Sequence, residues 1–155
     1  MMAEAWVRIL FPIHFWLVAR VLPWITKRGS LVSLLAIMTP SENRRPYVGV
    51  PASAIIEAVI VDGRRAWRMR GRRCFREGLL AFLFLRLAGY APVIHFGIEP
   101  ASLAARPRGH CWITLAEACV LNPPSPGLLP LFSWDGQTTP KQFDSHDAEL
   151  SLTYL

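Results

Sequence analysis

The chain has 155 residues, 52% apolar and 18% charged, with 17 Lys and Arg against 11 Asp and Glu for a formal charge of +6. That is one domain's worth of chain, able to bury a core without staples, and it excludes a disordered chain, which needs low hydrophobicity and high net charge. Three cysteines exclude a disulfide scaffold, and the positive balance suggests an acidic partner, peptide or lipid surface without choosing among them.

Residues 5–25 read AWVRILFPIHFWLVARVLPWI. Arg8 and Arg20 bracket eleven uncharged residues, and Pro12 and Pro23 are expected to interrupt any helix. No uninterrupted apolar window reaches about 18 residues, so a membrane span is not expected. A secretory signal is not expected either, because Glu4 precedes the first Arg and no small-residue cleavage site follows the apolar run. The stretch reads as buried helices. The alternative is a peripheral membrane helix, since Trp6, Trp16 and Trp24 suit an interface and Lys27 and Arg28 would meet anionic lipid. Leu31–Met38 continues the buried layer.

Thr39–Pro51 is a loop by its Pro and Gly content. Ser53 is the expected N-cap of a helix over Ala54–Val61. The break does not divide the chain, because a piece of about 45 residues would struggle to fold alone. A single domain over 1–155 is expected: a helical region 1–69, a core 70–135 and a tail 136–155.

Between Arg64 and Arg76 stand seven arginines. They are either a solvated face or a docking surface for an acidic peptide, with Arg64, Arg65, Arg68 and Arg70 as the candidates. Nucleic acid is not expected, because the stacking platforms and readout motifs that accompany a basic patch are missing.

Cys74–Gly89 is apolar on most sides, the pattern of a helix buried on most sides, and Gly89 stands where a C′ glycine belongs. Pro92–Glu99 and His110–Leu115 read as strands. Ala118–Asn122 reads as a third, joined by a tight turn at Ala116–Glu117. Phe132 and Trp134 mark one more short strand, and the last dozen residues read as a mobile tail. The fold class is therefore α+β: a helical N-terminal half on a small antiparallel sheet, with a cysteine opening the central helix.

The order of Cys, then a strand His, then a polar residue on the next strand carries chemistry. A thiol at a helix N-terminus feels the positive end of the dipole, and Arg72, Arg73 and Arg76 would favour the thiolate further. A cysteine nucleophile needs a His to hold its proton and deliver it to a leaving group, and that His needs an orienting group. Strand parity puts His110 with Trp112 on one face, and Cys111, Ile113 and Leu115 on the other. A metal site from Cys74, His95, Cys111 and Cys119 lacks paired ligand spacing, so neither metal nor cofactor is expected.

The runs Cys74-Phe-Arg-Glu-Gly-Leu-Leu-Ala, Leu85-Arg-Leu-Ala-Gly89, His95-Phe-Gly-Ile98 and Gly109-His-Cys-Trp112, within residues 70–123, resemble the transglutaminase-like leader peptidases of lasso-peptide maturation. The resemblance implies a papain-like core with Cys74 as nucleophile, His110 as base and Asn122 as the third member. It implies removal of the leader from a ribosomally made precursor peptide in the cytoplasm, with a small leader-recognition domain as protein partner. The same site would serve acyl transfer or amide cross-linking if an amine replaced water. A non-catalytic or membrane-associated relative is the remaining alternative. Asn122 stands where that family more often has an acid; its side-chain oxygen is expected to accept from the imidazole, with Glu117 and Asp135 as rival third members.

Overall fold

The helix-periodic half and the alternating half separate as expected. A computed structural model describes residues 2–64, 73–99 and 108–137. Among them are α1 (Met2–Arg28), α2 (Leu31–Ile37), α3 (Ala52–Gly63) and α4 (Arg73–Leu87), followed by β1 (Pro92–Glu99), β2 (Arg108–Leu115), β3 (Ala118–Leu121) and β4 (Leu129–Trp134). The expected tail past residue 137 and most of the expected loop at 101–109 lie outside the described residues.

The centre is α4, where twelve of fifteen residues are buried. It ends as its glycine predicts. Gly89 takes φ +92°, its N–H bonds the Arg86 carbonyl at 2.9 Å, and the Tyr90 N–H reaches back to Leu85 at 3.0 Å. These two bonds satisfy carbonyls that the helix end would leave bare.

The strands form one antiparallel sheet in the order β3-β2-β1-β4. Ala116 and Glu117 both take positive φ, 48° and 66°, the two-residue turn whose twist suits a hairpin. Neither is a glycine, so the turn carries backbone strain that strand pairing must offset. Parity on β2 falls as expected, with Cys111 and Ile113 fully buried on the face toward α4.

Two local expectations need correction. Pro12 and Pro23 do not interrupt α1, which runs through both as one 27-residue helix. Tertiary packing explains it. The Phe11 and Phe15 rings lie 5.6 and 5.0 Å from that of Phe84, and Ala19 and Leu22 are buried behind them. Those contacts outweigh a propensity cost of about 3 kcal/mol for an interior proline. Ser53 does not cap α3, which begins at Ala52 with Pro51 as its N-cap and no side-chain bond. The serine cap in this half belongs to α2, where Ser30 Oγ accepts from the Ser33 N–H at 3.2 Å.

The contact of α4 with β2 depends on Gly78. A Cβ there would run into the Cys111 sulfur and meet Ile94 Cδ1 at 3.5 Å. Gly78→Ala should therefore cost about 1–3 kcal/mol through overpacking. With Cys111→Ala the facing Cβ would stand at an ordinary 3.8 Å, so the double variant should recover much of the loss. Urea denaturation of the four proteins in the cycle measures the coupling; simple additivity would contradict the contact.

Candidate active site

Cys74 is the second residue of α4, in the turn whose N–H groups have no partner within the helix. Its half-buried thiol lies 3.9 Å from the Gly109 carbonyl oxygen. The backbone N–H groups of Cys111, Phe75 and Cys74 itself each favour the charged form of the sulfur. The thiol thus rests on the stretch of β2 that carries His110.

The His110 Nε2 lies 3.0 Å from the main-chain carbonyl oxygen of Asn122. A carbonyl can only accept, so Nε2 carries the proton and Nδ1 keeps its lone pair in the neutral ring. The Asn122 side-chain Nδ2 donates to the Cys74 carbonyl at 3.5 Å, a long bond. The three residues singled out from the sequence therefore come together through main-chain contacts. Among the described residues, ring and thiol are each held by carbonyls rather than by one another. The imidazole acceptor also differs from the expected one: it is the Asn122 backbone, not its side chain. Asn122 sits at φ +51°, a left-handed conformation that Asn tolerates better than most residues, and this turns its carbonyl toward the ring.

The rival third members lie elsewhere. Glu117 is exposed in the hairpin turn, at the opposite end of β2 from His110. Asp135 follows β4 at the far sheet edge, where its carbonyl accepts from Arg86 at 2.6 Å and its carboxylate from the Gln137 N–H.

The electrostatics reverse one expectation. Burial pushes the Cys74 thiol above its usual value, those backbone amides work against that, and the Glu77 carboxylate adds to the rise. Arg73 does not oppose it, because its Nε is bonded to Glu77 Oε1 at 2.7 Å. Arg76 is buried in the helix packing, and Arg72 lies outside the described residues. Cys74 at neutral pH is thus a thiol that needs a base. Glu77→Gln removes a negative charge and frees the Arg73 guanidinium, both of which favour thiolate. The pH profile of Cys74 alkylation by iodoacetamide should then shift to lower pH; an unmoved midpoint would remove Glu77 as a cause.

One feature that sequence reasoning did not assign a role is an aromatic stack. The Trp112 ring lies between His110 at 6.1 Å and His95 at 5.1 Å. The shared parity of residues 110 and 112 was its signal. Both His95 nitrogens are occupied, by Ser133 Oγ at 2.6 Å and Thr114 Oγ1 at 2.8 Å, and burial lowers its pKa. His95 thus holds the stack and offers no free nitrogen.

Of the arginines proposed for docking, Arg64 is exposed at one end of a cleft of about 580 Å³ lined by Ile56, Glu57, Ile60 and Val120. Arg65, Arg68 and Arg70 lie outside the described residues. Among the described residues no three His, Cys, Asp or Glu side chains converge as metal ligands.

A family model described as "Transglutaminase-like superfamily" matches residues 10–130, more than two thirds of the chain. No curated protein and no solved structure matches it.

Proposed function

The chain belongs to the transglutaminase-like superfamily, whose members are generally cysteine peptidases or transferases, and on that premise we propose that it is a cysteine peptidase removing the leader from a ribosomally synthesised, lasso-type precursor peptide. The observation that carries this reading is the tautomer of His110. With Nε2–H held by the Asn122 carbonyl, Nδ1 keeps the lone pair a general base needs, and the Cys74 thiol lies 3.9 Å from the carbonyl of Gly109, the residue before His110.

The chemistry follows from that arrangement. His110 Nδ1 takes the Cys74 proton as Sγ attacks the scissile carbonyl carbon. The N–H groups that favour the charged sulfur lie close to where the oxyanion develops, where fixed dipoles stabilise charge without reorganising. The imidazolium returns its proton to the departing amine, leaving a thioester. Water then gives a proton to His110, adds to the thioester, and the acid departs as the thiol re-forms. Arg64, with Arg65, Arg68 and Arg70, would hold acidic residues of the leader or of a leader-recognition domain.

The test is mass spectrometry of a precursor peptide incubated with the protein, in water and with excess butylamine. A leader ending in a free carboxylate supports peptidase action. An amide of butylamine as the main product would reassign the site to acyl transfer, and an intact precursor with Cys74 unlabelled by a peptidyl electrophile would end the catalytic reading.

Asn122 tests the details. A main-chain acceptor survives side-chain removal, so Asn122→Gly should keep kcat within about tenfold. Asn122→Ala should fall further, because alanine lacks the short polar side chain that lets Asn hold the left-handed conformation, a difference of about 1 kcal/mol. Were the side-chain amide the orienting group, both variants would drop alike, and by more than tenfold.

A further inference from the structure

The outer face of α1 is apolar and uncovered. Ile9, Ile13, Trp16, Leu17, Val21 and Trp24 are 43–69% exposed, and they recur at the spacing of one helix face. The opposite face, with Phe15, Ala19 and Leu22, is buried in the core. We infer that this outer face seats the protein on an anionic lipid surface, with α1 lying flat along it.

Charge selects that occupant. From residue 5 to residue 41 the chain has no Asp or Glu, and it carries Arg8, Arg20, Lys27 and Arg28. Lys27 and Arg28 are exposed in the last turn of α1. The Arg20 guanidinium stacks 4.8 Å over the Trp16 ring, placing charge and indole side by side within the apolar face. Tryptophans with cations and no carboxylates fit the headgroup layer of anionic bilayers, where apolar burial and charge attraction act together. The stretch Ile9–Arg28 also has the length and composition of a membrane span, yet only 22% of its window is buried in the fold. The Phe11 and Phe15 contacts with Phe84 hold α1 on the core, and spanning would break them. The inference goes beyond the proposed peptidase activity and does not depend on it.

The test floats the full-length chain with vesicles of phosphatidylcholine alone or with about a quarter phosphatidylglycerol. Binding is expected to the anionic vesicles, released by high salt or carbonate. Ile13→Ser/Leu17→Ser/Trp24→Ser, with unchanged melting, should lower the bound fraction at least tenfold. Lys27→Gln/Arg28→Gln should weaken binding about thirtyfold, at about 1 kcal/mol per charge. Absence of flotation would overturn the inference, as would binding indifferent to both variants. Protein released only by detergent would overturn it in favour of a span. A dimer abolished by the triple serine variant, without flotation, would assign the face to a second copy.

Discussion

Cys74→Ala is expected to lower leader cleavage at least a thousandfold while the melting temperature barely moves. Without the sulfur no thioester forms, and loss of a nucleophile from a Cys–His or Ser–His unit removes nearly all that the unit contributes. A thousandfold is about 4 kcal/mol of transition-state stabilisation. Cys119→Ala should be close to neutral, since that side chain is exposed and only touches the Leu121 carbonyl at 3.5 Å. Cys111→Ala removes a buried sulfur packed on Gly78, so it should alter stability more than kcat. Single-turnover cleavage alongside thermal melts separates these outcomes. Equal loss of activity in all three would point to a folding effect, and full activity in Cys74→Ala would end the mechanism.

Phe84→Ala is the expected largest single loss of stability, about 3–5 kcal/mol for a fully buried phenylalanine. Its ring meets those of Phe11, His14, Phe15 and Tyr47 at 5.0–6.1 Å, so one side chain joins α4 to α1 and to the 39–51 segment. Denaturant unfolding measures it. Deletion of residues 1–39 should leave an insoluble or unfolded remainder; a loss near 1 kcal/mol in Phe84→Ala would mean that α1 is only loosely attached, and the truncated chain would then stay folded.

Most of the sheet and the central helix could be read before the structure. The alternation at 110–115 announced which residues face the core, the glycine after Leu87 and Ala88 marked where α4 stops, and the spacing from His110 to Asn122 implied a hairpin about residues 116–117. These are local signals with local causes. Continuity of α1 through two prolines was hidden, because it depends on rings of residues 47 and 84 distant in sequence. The Cys74 environment was hidden for a similar reason. Counting nearby arginines ignores that Glu77 engages Arg73 and that burial dominates the thiol. Cys74, His110 and Asn122 stood out through their order and the family resemblance, but nothing in the sequence indicated which atom of Asn122 meets the imidazole, which a single left-handed φ decides.

The nearly total burial of α4 also governs how the molecule opens. Backbone amides in its middle turns can exchange with solvent deuterium only when α1, α3 and the sheet all let go, so they report the global free energy rather than local fraying. The first-turn amides beside the thiol lack helix partners and exchange through far smaller openings. Cys74 therefore sits at a seam between the slowest and faster exchanging parts of the chain. Heat should leave it little intermediate ground: the slow exchange of the middle amides and the partial burial of the Cys74 thiol should be lost in the same transition, because Cys74 stands on the central helix itself.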